Sequence, residues 1–191
     1  MPDMIKDGHG NGGFLAGVDN KGRLTTYSVI EEESAFINRV EKQMYSGPFG
    51  SSVTAATAGN IIVYLKNTNT VKDLVIVTLK HRCETNDGTL AIWLNVTGTP
   101  GGSLTDITPG NRNAGSNNVA DCTFQRSTDI TGLSGGYLVG SIFGVAGQEF
   151  KKNIPASGFI LPPNGTFALK ADTKDSVHYG GMAFYFRDMV V

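Results

Sequence analysis

The sequence predicts an all-β protein, and three observations carry that expectation. From Ile61 onward the chain is a series of short runs rich in Val, Ile, Leu, Thr and aromatic residues, separated by clusters of Asn, Gly, Asp and Pro. Only one segment, residues 31–45, has helical character, and it precedes those runs, so no helix lies between strands to build a parallel α/β sheet. Turn-formers are abundant: the 25 glycines and 7 prolines exceed the roughly 12% share of an average chain. At 191 residues the chain fits one domain, or one domain with a tail, and can bury a core without disulfide or metal staples.

The first 22 residues hold Gly8, Gly10, Gly12, Gly13, Gly17 and Gly22, with Phe14, Leu15 and Val18 among them. Glycine at this density forms no regular element unaided. The expectation is an extended arm, either frayed or ordered against a neighbouring subunit. The body is expected over residues 23–191. It opens with Arg23-Leu-Thr-Thr-Tyr-Ser-Val-Ile30, a strand-compatible run. Acidic Glu31, Glu32 and Glu33 then suit a helix amino end. Ala35, Phe36, Val40, Gln43 and Met44 fall on one side of a helix over 31–45, and Gly47-Pro48 ends it.

Ile61–Lys66 and Leu74–Lys80 are strands joined by the turn cluster Asn67-Thr-Asn-Thr70. Asp87-Gly88 is a hairpin signal before the strand Thr89–Asn95. Further strands are expected over 120–125, 136–143, 158–161, 166–171 and 177–187. Residues 98–118 read as a long loop, and loops of that length are usually functional or packed against something. Together the runs predict a sandwich or barrel.

Sixteen basic against seventeen acidic residues give a net charge of −1. That balance provides no field for gathering nucleic acid or an anionic membrane surface. No apolar run approaches the ~20 residues of a membrane helix. The amino terminus lacks the apolar core of a secretory signal, which predicts folding in the compartment of synthesis. There, Cys83 and Cys122 are expected as two small buried thiols, with a cross-strand disulfide as the alternative.

No motif for catalysis emerges. The Gly-x-Ser-x-Gly elbow is missing, and Gly8-His-Gly-Asn-Gly-Gly13 has neither the preceding strand nor the following helix of a phosphate loop. Asp73, Asp87, Asp106 and Asp172 read as turn and edge residues. His81, Cys83, Cys122 and His178 could converge on a zinc ion only in space, since no spacing supports it. Strand-edge histidines are the plainer expectation, with no metal and no cofactor. Trp93, between Ile92 and Leu94, reads as a packing residue. If Phe184 and Phe186 face the core, Tyr185 points outward as a contact residue.

A glycine-bearing arm leads into Val18-Asp-Asn-Lys-Gly-Arg-Leu-Thr-Thr-Tyr-Ser-Val29, and an acidic amphipathic stretch follows. Next come Tyr64-Leu-Lys-Asn67, Asp73-Leu-Val-Ile76, Asn95-Val-Thr-Gly-Thr99, Asn111-Arg-Asn-Ala-Gly-Ser116 and Leu161-Pro-Pro-Asn-Gly165. This layout resembles a family of tailed-bacteriophage jelly-roll virion proteins of the capsid decoration (cement) type. Val96 departs from the proline usual in that family's loop. The resemblance implies a jelly-roll β-sandwich with one N-terminal helix and no catalytic residues. It implies a homotrimer, made in the host cytoplasm, that sits on the virion capsid surface and bridges neighbouring major capsid protein subunits. The partner-binding candidates are then Phe14, Leu15, Val18 and Arg23 near the arm, and Asn111, Arg112 and Asn113 in the long loop. A tail or fibre module that recognises host glycans is the alternative, and it would use exposed tyrosines such as Tyr137, Tyr179 or Tyr185.

Overall fold

The computed structural model describes residues 15–18, 24–27, 33–49, 53–54, 59–84, 86–153, 158–172 and 177–189. They fall in two compact units, Met1–Phe36 and Ile37–Val191. The first contains strands β1 (Leu15–Val18) and β2 (Leu24–Tyr27), paired antiparallel with Leu15 opposite Tyr27. It also contains a four-residue helix, α1 (Glu33–Phe36). Part of the glycine-rich arm is therefore tied to the strand that follows it.

The second unit opens with a π-helical turn, Ile37–Glu41. Its strands are β3 (Met44–Pro48), β4 (Val53–Thr54), β5 (Asn60–Asn67), β6 (Lys72–Cys83), β7 (Gly88–Leu94), β8 (Thr97–Gly101), β9 (Thr105–Asp106) and β10 (Gly110–Asn111). They continue with β11 (Cys122–Arg126), β12 (Thr131–Ser134), β13 (Tyr137–Gly144), β14 (Glu149–Asn153), β15 (Phe159–Leu161), β16 (Thr166–Ala171) and β17 (Val177–Asp188). One sheet runs β10-β3-β17-β6-β14, with β15 also on β6 and β4 on β17. The other runs β13-β7-β16-β5-β11-β9.

The major strands cross between sheets along the chain at every step but β7 to β13: β3, β6, β14 and β17 lie in the first, β5, β7, β13 and β16 in the second. The spatial orders β3-β17-β6-β14 and β5-β16-β7-β13 are those of a jelly roll, which matches the fold expected. Between the sheets lies one apolar core. Leu65, Leu90, Ile92, Phe167 and Leu169 face Leu74, Ile76, Leu79, Met182, Phe184 and Phe186 across it.

Several local expectations are corrected. The helix over 31–45 is only the α1 and π-helical turns. Lys42 takes a left-handed φ of 56° and Met44–Pro48 joins the sheet as β3. Tertiary packing overrides the helical pattern there, because Tyr45 stacks on Phe184 with ring centroids 5.9 Å apart inside the sandwich. Ile37 is the buried residue of the turn, while Val40 is exposed. Gly47 and Pro48 belong to β3 and end no helix. Asp87-Gly88 makes no hairpin, since β6 and β7 lie in opposite sheets and the turn spans the sandwich. Residues 98–118 are not a bare loop. They contribute most of β8 together with β9 and β10, and so reach from the edge of one sheet to the edge of the other. Leu104 and Leu133 pack on a small outer cluster of Tyr64, Val96, Ile130 and Ala168.

A β-bulge sets the faces of β6. Thr78 pairs with Ala183 but Ile76 pairs with the next residue, Phe184, so Val77 is extra. The inward set therefore changes from Leu74 and Ile76 to Leu79, His81 and Cys83. Lys80 and Arg82 are turned outward by the same shift.

Candidate functional site

Three features of the sandwich are chemically distinctive. The first lies inside, at the Cys83 end of β6. His178 is the cross-strand partner of Cys83, and His81 is two residues earlier on the same face. His81 Nε2 is 2.9 Å from His178 Nδ1, and Cys83 Sγ is 3.5 Å and 3.8 Å from those two nitrogens. The imidazole planes stack at 20°. All three residues are fully buried. Gly144, on the opposing sheet, makes the space: a Cβ there would lie 2.7 Å from His81 Cε1 and 2.9 Å from Cys83 Sγ.

Burial pushes both imidazoles down to about 4, with the neighbouring His178 adding to the effect on His81. The Cys83 thiol is raised, first by burial and then by Asp87, against a lowering contribution from a backbone hydrogen bond of Gly88. The pair is therefore neutral at pH 7. One imidazole N–H donates to the other ring, and among the described residues His81 Nδ1 and His178 Nε2 have no partner. These rings are buried groups in contact with each other, which corrects the expectation of two separate strand-edge histidines. Cys122 does not join them: it begins β11 opposite Asn67. Both cysteines are free. Cys122 is half-buried, and desolvation together with Asp121 pushes its thiol up to about 12.

The second feature is a groove of about 460 Å³ on the outer face of β3, β17 and β6. Its floor is small (Ser46, Gly181, Ala183) and its rim is long and basic (Lys80, Arg82, Arg112). Lys80 Nζ pairs with Glu149 at 2.9 Å. The Arg82 guanidinium lies 5.3 Å from the Tyr179 ring centroid, and the Tyr179 hydroxyl donates to Glu84 at 2.7 Å.

The third is an apolar stripe on β13, an edge strand. Tyr137, Leu138 and Phe143 are each more than half exposed, with Val139 beside them. Val139 is the extra residue of a bulge, so Leu138 opposite Trp93 and Phe143 opposite Thr89 share the outer face, while Tyr137, opposite Leu94, is exposed at the end of the strand.

No family model, curated protein or solved structure matches this chain.

The candidate partner residues are distributed unevenly over these features. Phe14 and Arg23 lie outside the described residues, and Leu15 and Val18 are placed as backbone of β1. Asn111 and Asn113 turn inward on their own fold. Asn111 Nδ2 donates to the Lys42 carbonyl at 2.8 Å, and Asn113 Nδ2 to the Asn38 carbonyl at 3.0 Å. Asn118 Nδ2 also reaches the Glu41 and Lys42 carbonyls. The Asn-Arg-Asn motif thus closes the carboxyl end of the π-helical turn, whose last carbonyls have no helical partner. Arg112 is exposed and lines the groove.

Tyr185 is buried, not outward in solvent, between its cross-strand neighbours Met44 and Val75, which are buried with it. Tyr137 and Tyr179 stay accessible, as expected. Of the β13 stripe only Tyr137 was a candidate from sequence; Lys80, Arg82, Leu138, Val139 and Phe143 were not. Their signal was the alternation itself, which becomes readable only once the Val77 bulge and the edge position of β13 are known.

Proposed function

We propose that this chain is a virion structural protein that decorates the outer capsid and bridges neighbouring major capsid subunits, acting as a homotrimer. The observation that carries the reading is the exposed stripe Tyr137, Leu138, Val139 and Phe143 on an edge strand of an otherwise well-packed sandwich. Exposed apolar side chains grouped on a sheet edge mark a protein–protein contact, and an open edge also offers backbone groups for pairing. The jelly-roll strand order is compatible with this role, although fold alone assigns none. The resemblance in sequence layout supplies the kind of partner. The glycine-rich segment adds a second gripping element if it orders on the shell, and binding that favours the assembled state stabilises it by mass action.

The test is co-sedimentation with phage heads built from the cognate major capsid protein and stripped of decoration. The wild-type chain should saturate the heads in groups of three. A Leu138→Ser/Phe143→Ser variant should bind at least about tenfold more weakly while unfolding at the same temperature, and deleting residues 2–22 should abolish binding. Absence of wild-type binding, or equal binding by both variants, would overturn the proposal.

The groove favours a second reading, a receptor-binding module for acidic host glycans. Its volume falls in the range of ligand pockets, about 300–1,000 Å³. Arg82, Arg112 and Tyr179 would provide charge and an aromatic face. Glycan-array binding that vanishes in Tyr179→Ala and Arg82→Ala would favour it over decoration.

A further inference from the structure

We propose that His81, Cys83 and His178 form a binding site for a zinc-class metal ion that ties β6 to β17 inside the sandwich.

The donor set comes first. One thiolate and two imidazoles are the ligands of zinc and its softer neighbours; calcium and magnesium take oxygen. The geometry comes second. Tetrahedral zinc, with Zn–S of about 2.3 Å and Zn–N of about 2.0–2.1 Å, sets S···N separations near ~3.6 Å and N···N near ~3.3 Å. The observed S···N distances are 3.5 Å and 3.8 Å. The two nitrogens, 2.9 Å apart, need to part by about 0.4 Å, a small rotation of one ring.

Preorganisation is the third argument. The three residues sit on two directly paired strands, with Cys83 in register with His178. The Val77 bulge turns His81 and Cys83 inward, and Gly144 leaves the space beside them. A metal ion would replace the single imidazole–imidazole hydrogen bond with three coordinate bonds. It would also fix both tautomers: the proton moves to Nδ1 on His81 and to Nε2 on His178. Those are the two ring atoms without a partner. In the metal-free pair one of them is an orphaned donor and the other an orphaned acceptor, so that burial is already present. Three protein ligands fill three tetrahedral positions, and the fourth falls to water. Cys83 binds as the thiolate, so each ion taken up releases the thiol proton.

The experiment uses the full chain, stripped with a chelator under reducing conditions and titrated with Zn²⁺ against a chromophoric competitor, then with Co²⁺. One ion per chain is expected, and the cobalt form should show sulfur-to-cobalt charge transfer with the visible bands of a tetrahedral site. Cys83→Ser should remove the charge-transfer absorption. His178→Gln should weaken Zn²⁺ binding by more than about 100-fold, since even the outer partners of metal ligands are worth about 10–100-fold. Cys122→Ser should change neither. The wild-type cobalt spectrum decides the matter even if a ligand variant fails to fold: without thiolate charge transfer the site is not this one. Binding that survives Cys83→Ser, or is lost in Cys122→Ser, would also overturn the proposal.

Discussion

The two ends of the β6–β17 strand pair are built from opposite chemistry, although both are buried between the sheets. At one end Leu74 and Ile76 of β6 meet Phe184 and Phe186 of β17, and Tyr45 stacks on the first ring and meets the second edge-on. The outer face there is closed as well, with Val75 and Tyr185 paired and buried. At the other end the inward side chains are His81, Cys83 and His178, and the outer face is an open groove rimmed by Lys80 and Arg82. Burial alone does not distinguish them. The apolar end gains from every contact it makes, whereas the polar end holds two ring nitrogens without partners among the described residues, each a debit of about 1–3 kcal/mol. One end holds the fold together, and the other retains groups that the fold would be more stable without.

The largest effect should come from the apolar end. Phe184→Ala removes a fully buried ring from between Tyr45 and Phe186. It should cost about 3–5 kcal/mol in urea or guanidinium unfolding, as transfer and cavity terms add. A loss below about 1 kcal/mol would break the distinction between the two ends.

Acid should act on the other end. In the metal-free protein His81 and His178 titrate at about 4 when folded, against about 6.5 when unfolded. Above pH 6.5 both states leave the rings neutral and stability is full. Between 6.5 and 4 the unfolded chain takes up protons that the folded one refuses, so stability falls as pH falls, and below 4 this loss levels off. Urea unfolding in the presence of a chelator should show a decline of a few kcal/mol across that window. The double variant His81→Phe/His178→Phe should flatten it. A wild-type profile that is flat from pH 7 to 4 would show that the pair is not held neutral.

Much of the apolar end was legible in the sequence. Ile61–Lys66, Leu74–Lys80 and Val177–Arg187 announce strands by composition, and their all-β reading required no knowledge of pairing. The polar end was not legible, for a specific reason. His81 and Cys83 share a face by simple alternation, but whether that face is inward depends on one extra residue, Val77, which no periodicity marks. Their meeting with His178 depends on a register between strands 97 positions apart. The Asn111–Ser116 motif was visible as a motif, but not that two of its amides answer carbonyls at a helical turn that the sequence drew as a longer helix, while Arg112 between them stays exposed.

That motif gives the next prediction. Asn113→Ala should destabilise by about 1 kcal/mol, since it removes the donor to the Asn38 carbonyl of the π-helical turn, and Asn111→Ala by less, since Asn118 Nδ2 and Ser116 Oγ also donate to the Lys42 carbonyl. Hydrogen exchange should speed up first in residues 37–45 and reach β6 later. Unchanged exchange there would detach the motif from the turn and return Asn111 and Asn113 to the pool of partner contacts.

The smallest effect on stability should come from the groove beside the histidines. The guanidinium of Arg82 is exposed and stacks on Tyr179, an arrangement worth about 0.5–1 kcal/mol at an exposed site. Arg82→Ala should therefore shift unfolding by less than about 1 kcal/mol, while the strand beneath stays paired with β17. If the same variant also abolishes binding to acidic glycans, the polar end is a receptor site and the decoration reading loses ground to it. If binding to stripped heads falls instead, the groove belongs to the capsid contact together with the β13 stripe. A loss of several kcal/mol would mean that Arg82 supports the sheet as the aromatic end does, and the contrast between the two ends would fail at its outer face.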